Sequence, residues 1–435
     1  AQDAKAKTQA FIDRFSKWYT PAVMVLALAA GLISGDVVLG LTLLVIGCPG
    51  ALVISIPVAI VAGIGRSARN GILIKGGEYL ETSAKISAVA VDKTGTLTEG
   101  RPVLTDIVVL NPEADRREVL RWAAAAEAGS EHPLARPILD TAREEGVAPE
   151  GLPGSVTPVV GKGIVADAHG KRVLIGNVPL LEQYGIVNDA GAAVAANKLA
   201  AAGKTPMIVA VDESVLGVIG VADTIREDAP EMIRRLHASG VQKVVMLTGD
   251  TRLVAEAIGE AVGIDEIHAS LLPEDKLDAV ARLQREGHTV AMVGDGVNDA
   301  PALATADIGV AMGAAGSAVA VETADIALMG DNLLKLPEAI SLAKRTVNVM
   351  RQNIWIALIT VVVLLVGVFA GGVTMAIGML VHEGSVLIVI LNAMRLLRNT
   401  QGATALSRSE RARAAHETGR PVEPATAQSS SELPS

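Results

Sequence analysis

The apolar residues of this chain fall into two blocks, one at each end. Residues 21–33 (PAVMVLALAAGLI) and 37–65 (VVLGLTLLVIGCPGALVISIPVAIVAGIG) carry no charge. Nor does 354–381, which leads through His382-Glu383-Gly384 into the apolar run SVLIVILNAM at 385–394. A helix needs about 20 apolar residues to cross a bilayer. The pattern therefore predicts four spans, near 18–34, 37–65, 352–371 and 374–395, paired as two hairpins. Lys5, Lys7, Arg14 and Lys17 precede the first span, and Arg66, Arg69 and Lys75 follow the second. Lys344, Arg345 and Arg351 precede the third, and Arg395 and Arg398 follow the fourth. By the positive-inside tendency all four flanks face the cytoplasm.

Between the hairpins the pattern changes. The runs ISAVAVD (86–92), VQKVVMLTGD (241–250) and HTVAMVGD (288–295) are short, β-rich and end in an acidic residue. Helical stretches such as DAPEMIRRLHASG (228–240) alternate with them. Strand–helix alternation predicts an α/β domain around a parallel sheet. Beyond residue 400 the composition, rich in Ser, Ala, Arg, Glu and Pro, is that of a disordered segment. No internal repeat and no signal peptide stands out.

Composition narrows the function. A length of 435 residues suits about three domains. A lone cysteine, Cys48, excludes a disulfide framework, a zinc ribbon and an iron–sulfur cluster. The net charge of -9 argues against a nucleic-acid partner, which would call for excess basic charge. Only 2% of residues are aromatic, too few for base-stacking platforms.

The chemistry gathers at the ends of the expected strands. Asp92 closes VAVD and opens Asp92-Lys93-Thr94-Gly95-Thr96-Leu97-Thr98. α/β sheets place ligands at this end of a parallel strand, and a carboxylate there can attack phosphorus to form an acyl phosphate. Gly95 and its small neighbours free backbone N–H groups for phosphate oxygens. Thr248-Gly249-Asp250 offers a hydroxyl and a backbone donor, and Lys276 a balancing charge. The run Gly294-Asp295-Gly296-Val297-Asn298-Asp299 supplies the oxygen ligands that Mg²⁺ prefers. Two glycine motifs fail as nucleotide signatures on their own. Lys198 stands where Gly203-Lys204-Thr205 would need a Walker A glycine, and Gly161-Lys162-Gly163 lacks a βαβ setting.

Inside the spans, Cys48-Pro49-Gly50 places a helix-opening proline beside a soft ligand. His382 and Glu383 are ionisable residues in apolar sequence, where such groups are costly and usually functional. A break at Gly384 would let the two converge. Histidine with carboxylate suits Zn²⁺, Co²⁺ or Fe²⁺ better than Cu⁺.

DKTGTLT, TGD and GDGVNDAPAL, in that order, resemble the P-type ATPases, and SEHP at 130–133 resembles their transition-metal subfamily. The resemblance extends to about residue 400. It implies a haloacid-dehalogenase-like α/β phosphorylation domain (67–102 and 221–350) with an inserted α+β nucleotide-binding domain (103–220). Transmembrane α-helical hairpins flank them at 1–66 and 351–398, and 399–435 forms a tail. It implies phosphorylation of Asp92 by ATP, aided by Lys93, Thr94, Thr248, Gly249, Asp250 and Lys276. Mg²⁺ would be served by Asp92, Thr94, Asp295 and Asp299. Glu127, His132, Gly161, Gly163 and Asn177 would hold ATP, and Cys48, His382 and Glu383 the transported metal cation. CPG and HEGS each depart from the subfamily's strings at one position, Gly50 and Ser385.

A prokaryotic cell membrane with cytoplasmic catalytic domains is the implied setting, and efflux the implied direction. No TGE string occurs, and the opening residues read like the linker after an actuator domain. The expectation is thus a C-terminal portion of a longer pump, lacking that partner domain. Three alternatives stay open: a membrane-tethered phosphatase of the same superfamily, a non-catalytic metal-binding fragment, and a pump for another cation.

Overall fold

A computed structural model describes residues 7–48, 50–130, 132, 134–186, 190–295, 299–313 and 322–398. Pro49, Glu131, Pro133, Gly296–Asn298 and the tail beyond 398 therefore lie outside the described residues.

The Asp92 strand, Ala88–Asp92, runs through the middle of a seven-stranded sheet and is buried along its whole length. Across the sheet the order is Ile72–Ile74, Ile326–Leu328, Ile308–Ala311, Val290–Gly294, Ala88–Asp92, Lys243–Leu247 and Glu266–His268. Only Ile72–Ile74 is antiparallel to its neighbour. Continuous apolar runs such as AVAV suit a strand covered on both faces. Val89 and Val91 pack toward helices Ala229–Ala238 and Arg252–Val262, and Ala88 and Ala90 toward helix Pro273–Arg285. Parallel pairing aligns the carboxyl ends, so Asp92 pairs with Leu247 and Val91 with Val293.

A six-stranded antiparallel sheet interrupts this domain, in the order Val103–Val109, Ser214–Ala222, Thr205–Val211, Lys171–Gly176, Gly163–Ala168 and Ser155–Val159. Alternation along Lys171–Gly176 sends Val173 and Ile175 to one face, under helices Arg116–Glu127 and Ala135–Glu144. Leu174 turns to the other face, under Val178–Gln183 and Ala190–Ala201. Helix Ala190–Ala201 also leans on Arg252–Val262 and buries Ala200 in the parallel-sheet core.

Among the described residues, four helical segments are long and apolar enough to cross a membrane: Arg14–Ser34, Val37–Arg69, Lys335–Phe369 and Met375–Leu397. The second consists of two helices, Val37–Ile46 and Gly50–Arg69, which break at the CPG string. The third apolar stretch is the distal part of a longer helix. That helix, Lys335–Phe369, is about 52 Å long at 1.5 Å per residue. Leu336, Ala339 and Ile340 lie in the parallel-sheet core, and Met350 and Ala357 among the membrane helices. The expected break at Gly384 is absent: Met375–Met394 runs through it as continuous helix. A glycine flanked by good helix formers lowers helix stability without ending the helix.

Candidate active site

Asp92 ends its strand only 6% exposed. Lys276, on helix Pro273–Arg285, places Nζ 2.6 Å from Asp92 Oδ1 and 2.7 Å from Asp299 Oδ1. One ammonium thus bridges two buried carboxylates. Lys93, next after Asp92, pairs with Asp250 Oδ2 at 2.5 Å. The Thr248 hydroxyl accepts the Asp250 amide at 3.1 Å and orders the adjacent strand end. Exposed Thr94 has extended backbone angles and Gly95 a φ of 72°, so the chain turns sharply here and presents the loop to the site. Asp295 faces the same loop: a methyl on Gly95 would stand 3.8 Å from its Cβ.

Burial, and next the Asp299 carboxylate, push the Asp92 pKa up to about 6, against the pull of Lys276; Asp295 adds to the rise. Burial works against the Lys276 charge, but Asp92 and Asp299 outweigh it and hold its pKa above the ordinary value. Three carboxylates crowded at one strand end, with a single lysine between two of them, form an oxygen-rich donor set. That chemistry fits Mg²⁺, with Asp92, Asp295 and the Thr94 backbone as the residues that would hold it. Asp299 is 2% exposed and engaged with Lys276, which places it behind the lysine. The Thr96 hydroxyl is fully buried with no hydrogen-bond partner among the described residues.

Two residues that no motif reading singled out complete this loop. Arg226 Nε donates to the carbonyls of Thr96 and Thr98 at 3.0 and 3.1 Å. Asp223 accepts the Gly100 and Arg101 amides at 3.1 and 3.0 Å and the Thr98 hydroxyl. Both lie where the chain re-enters the parallel-sheet domain. Polar residues at a domain crossing were the only signal available.

A cavity of about 680 Å³ opens between the two domains. Glu127, Ser130, His132, Gly161, Gly163 and Asn177 line it from the insert, and Gly249, Asp250 and Thr251 from the parallel-sheet side. Glu127 is 3% exposed, burial raises its pKa, and its Oε2 lacks a hydrogen-bond partner among the described residues. His132 Nδ1 accepts the Leu134 amide at 3.2 Å, which leaves the ring hydrogen on Nε2 in the neutral imidazole. Gly163 has φ 140°, and a Cβ there would stand 2.1 Å from the Ile175 carbonyl, so the close strand crossing requires glycine. Asn177 spends its side chain on the scaffold. It caps helix Val178–Gln183 through Leu180 N and donates to the Gly161 carbonyl at 3.0 Å.

The membrane residues assemble less fully. Cys48 is exposed at the break between Ile46 and Gly50. His382 is buried and faces that break: a methyl on Gly50 would stand 3.4 Å from its Nε2. Glu383 turns to the outside of the bundle and does not converge with His382. Successive residues on an unbroken helix are about 100° apart. Among the described residues, no three His, Cys, Asp or Glu side chains gather as a metal cluster.

Residues 86–307 match the family model described as haloacid dehalogenase-like hydrolase. A probable cadmium-transporting ATPase of Staphylococcus aureus (strain MRSA252) is 43% identical over 413 residues, covering 92% of this chain and 56% of that protein. A manganese-exporting P-type ATPase of Mycobacterium bovis is 40% identical over 405 residues, covering 92% and 55%. The crystal structure of a zinc-transporting PIB-type ATPase in its E2.Pi state superposes with a TM-score of 0.70 at 44% identity. It covers 89% of this chain and 64% of that one. The chain spans about half the length of the curated relatives it matches.

Proposed function

Since this chain belongs to the haloacid dehalogenase-like hydrolase family, we propose that it is the catalytic and membrane portion of a heavy-metal-transporting P-type ATPase, which takes the γ-phosphoryl group of ATP onto Asp92 and uses that step to drive a divalent transition-metal cation across a membrane. The observation that carries this reading is a buried carboxylate at a parallel-strand end, paired with Lys276, beside a cavity that both domains line.

In this reading the Asp92 carboxylate attacks the γ-phosphorus, the bond to ADP breaks, and an aspartyl phosphate remains. Lys276 balances the charge of the incoming phosphoryl oxygens, and Asp299 keeps that lysine in place. Thr248, the Gly249 backbone and the buried Thr96 hydroxyl offer donors. Lys93 and Asp250 hold the two strand ends in register. Mg²⁺, when bound, supplies charge neutralisation on the phosphate oxygens. In the cavity, the unpartnered Glu127 oxygen suits the amino group of adenine, and neutral His132 packs beside the nucleotide. Gly161 and Gly163 let the backbone approach closely, with Asn177 holding their turn.

Cys48 and His382 are the transported-ion ligands in this reading. His382 stands beside Gly50, where the metal-pump pattern carries a second thiolate, and so supplies a borderline nitrogen ligand. A Cys–His pair favours Zn²⁺, Cd²⁺ or Co²⁺ over Cu⁺. Glu383 is left to a supporting role. No TGE string occurs in this sequence, and the step proposed for Asp92 is phosphorylation rather than dephosphorylation.

The test is acid-stable ³²P labelling from [γ-³²P]ATP with Mg²⁺. Wild type should label, and Asp92→Asn should bind ATP without labelling. Labelling from a phosphate monoester but not from ATP would instead favour a tethered phosphatase. Equal labelling of the two proteins would end the proposal.

A further inference from the structure

Asn353 lies on the long helix Lys335–Phe369 and is fully buried among the membrane helices. Its amide nitrogen donates to carbonyls of two other helices, Val389 at 3.3 Å and Ser55 at 3.5 Å. Its amide oxygen accepts from Asn392 Nδ2 at 2.8 Å. All three of its polar functions are thus spent between helices. A helix carbonyl has a second lone pair, so neither helix unwinds to accept the bond. Asn392 is held in turn by Arg395 at 2.8 Å and donates to Gln352 at 3.3 Å.

The position of this amide matters more than its strength. Val389 is two turns, about 10 Å, beyond His382 on the same helix. Ser55 follows the Cys48 break by seven residues, past the Gly50 that faces His382. Ser385 closes the interval by donating its hydroxyl to the His382 carbonyl at 2.7 Å. The helix carrying Asn353 starts in the core of the sheet that holds Asp92. Interhelical hydrogen bonds in membrane bundles add little stability. An apolar side chain would pack there as well. What the amide adds is register: a slide of its own helix by a turn breaks its bonds to both others, and a slide of either other helix breaks that helix's bond to Asn353.

We propose that Asn353 is a positioning residue that locks the two ion-site helices, Gly50–Arg69 and Met375–Met394, to the helix descending from the Asp92 domain. Motion of that domain then reaches Cys48 and His382 as a movement of the whole set. This rests on the pump reading above.

The experiment uses the full chain in lipid nanodiscs, with three readouts: ATP affinity, Asp92 labelling from inorganic phosphate, and the Zn²⁺ concentration for half-maximal labelling from ATP. Asn353→Leu should raise the Zn²⁺ half-point about ten-fold or more and leave the other two within about two-fold. Asn392→Leu, at a partly exposed site, should shift it in the same direction. The double variant should be no worse than Asn353→Leu, because both cut one network. Zn²⁺-dependent wild type with an unshifted Asn353→Leu overturns the proposal alone. So do additive effects, or a parallel fall of all three readouts in both variants. Wild-type labelling indifferent to Zn²⁺ overturns the pump reading and this proposal together.

Discussion

At Asp92 and at Cys48 the same chain builds two sites by different means. Around Asp92, parallel pairing aligns three strand ends, and Lys276 reaches across to two carboxylates. Around Cys48, the groups ride on separate helices whose rotation sequence order does not set. His382 faces the break, while its neighbour Glu383 faces away. A sheet converts adjacency of motifs into adjacency of atoms. A helix does so only at spacings of three or four residues.

Lys276 is where that comparison can be broken most sharply. Lys276→Met should cut labelling of Asp92 by about 10²–10³-fold, as loss of a positioned charge donor does. The carboxylate form attacks, so wild-type labelling should fall on acidification through about pH 6, where Asp92 takes up a proton. Lys276 holds that value down; removing it should move the acid limb to higher pH, seen as labelling rate against pH. An unmoved limb would mean that Lys276 does not face the nucleophile in solution.

The membrane half predicts an asymmetry. His382→Ala should weaken Zn²⁺ binding about 10–100-fold, as loss of metal-site groups does, whereas Glu383→Gln should change it by less than about three-fold. Titration with metal content measured by mass spectrometry separates them. Equal losses would show that Glu383 turns inward in the working protein. In the cavity, Glu127→Gln should weaken ATP binding about ten-fold. Maximal labelling at saturating ATP should be unchanged, which equilibrium dialysis paired with labelling can check.

Much of this molecule was legible in its amino-acid order. The β-rich runs ending in Asp92, Asp250 and Asp295 declared a parallel sheet, because strands buried on both faces are apolar throughout. Pro49 marked the break in the second span. At the third span Lys344, Arg345 and Arg351 limit the apolar stretch but not the helix, which continues past them into the sheet core, a continuity that the apolar pattern does not signal. Glu127 entered only through family resemblance, since a lone Glu in an alanine-rich helix carries no motif. Asp223 and Arg226 escaped because DTIRED reads as an ordinary polar turn. Their role appears only when a chain segment 125 residues away folds back onto them. The convergence expected of His382 and Glu383 failed on simple geometry, a rotation of about 100° per residue.

The Asp223 clamp has a consequence for taking the protein apart. The insert leaves and returns through adjacent strands, with Val103 opposite Ala222. Its two ends are therefore neighbours, closed by a sheet of its own and covered by its own helices. Apart from Ala200, which helix Ala190–Ala201 buries in the parallel-sheet core, such a segment has a core of its own. Cut out at its paired ends it should fold when expressed alone, and a short turn should rejoin the remaining chain without moving the strand that carries Asp92, which circular dichroism of the two pieces checks.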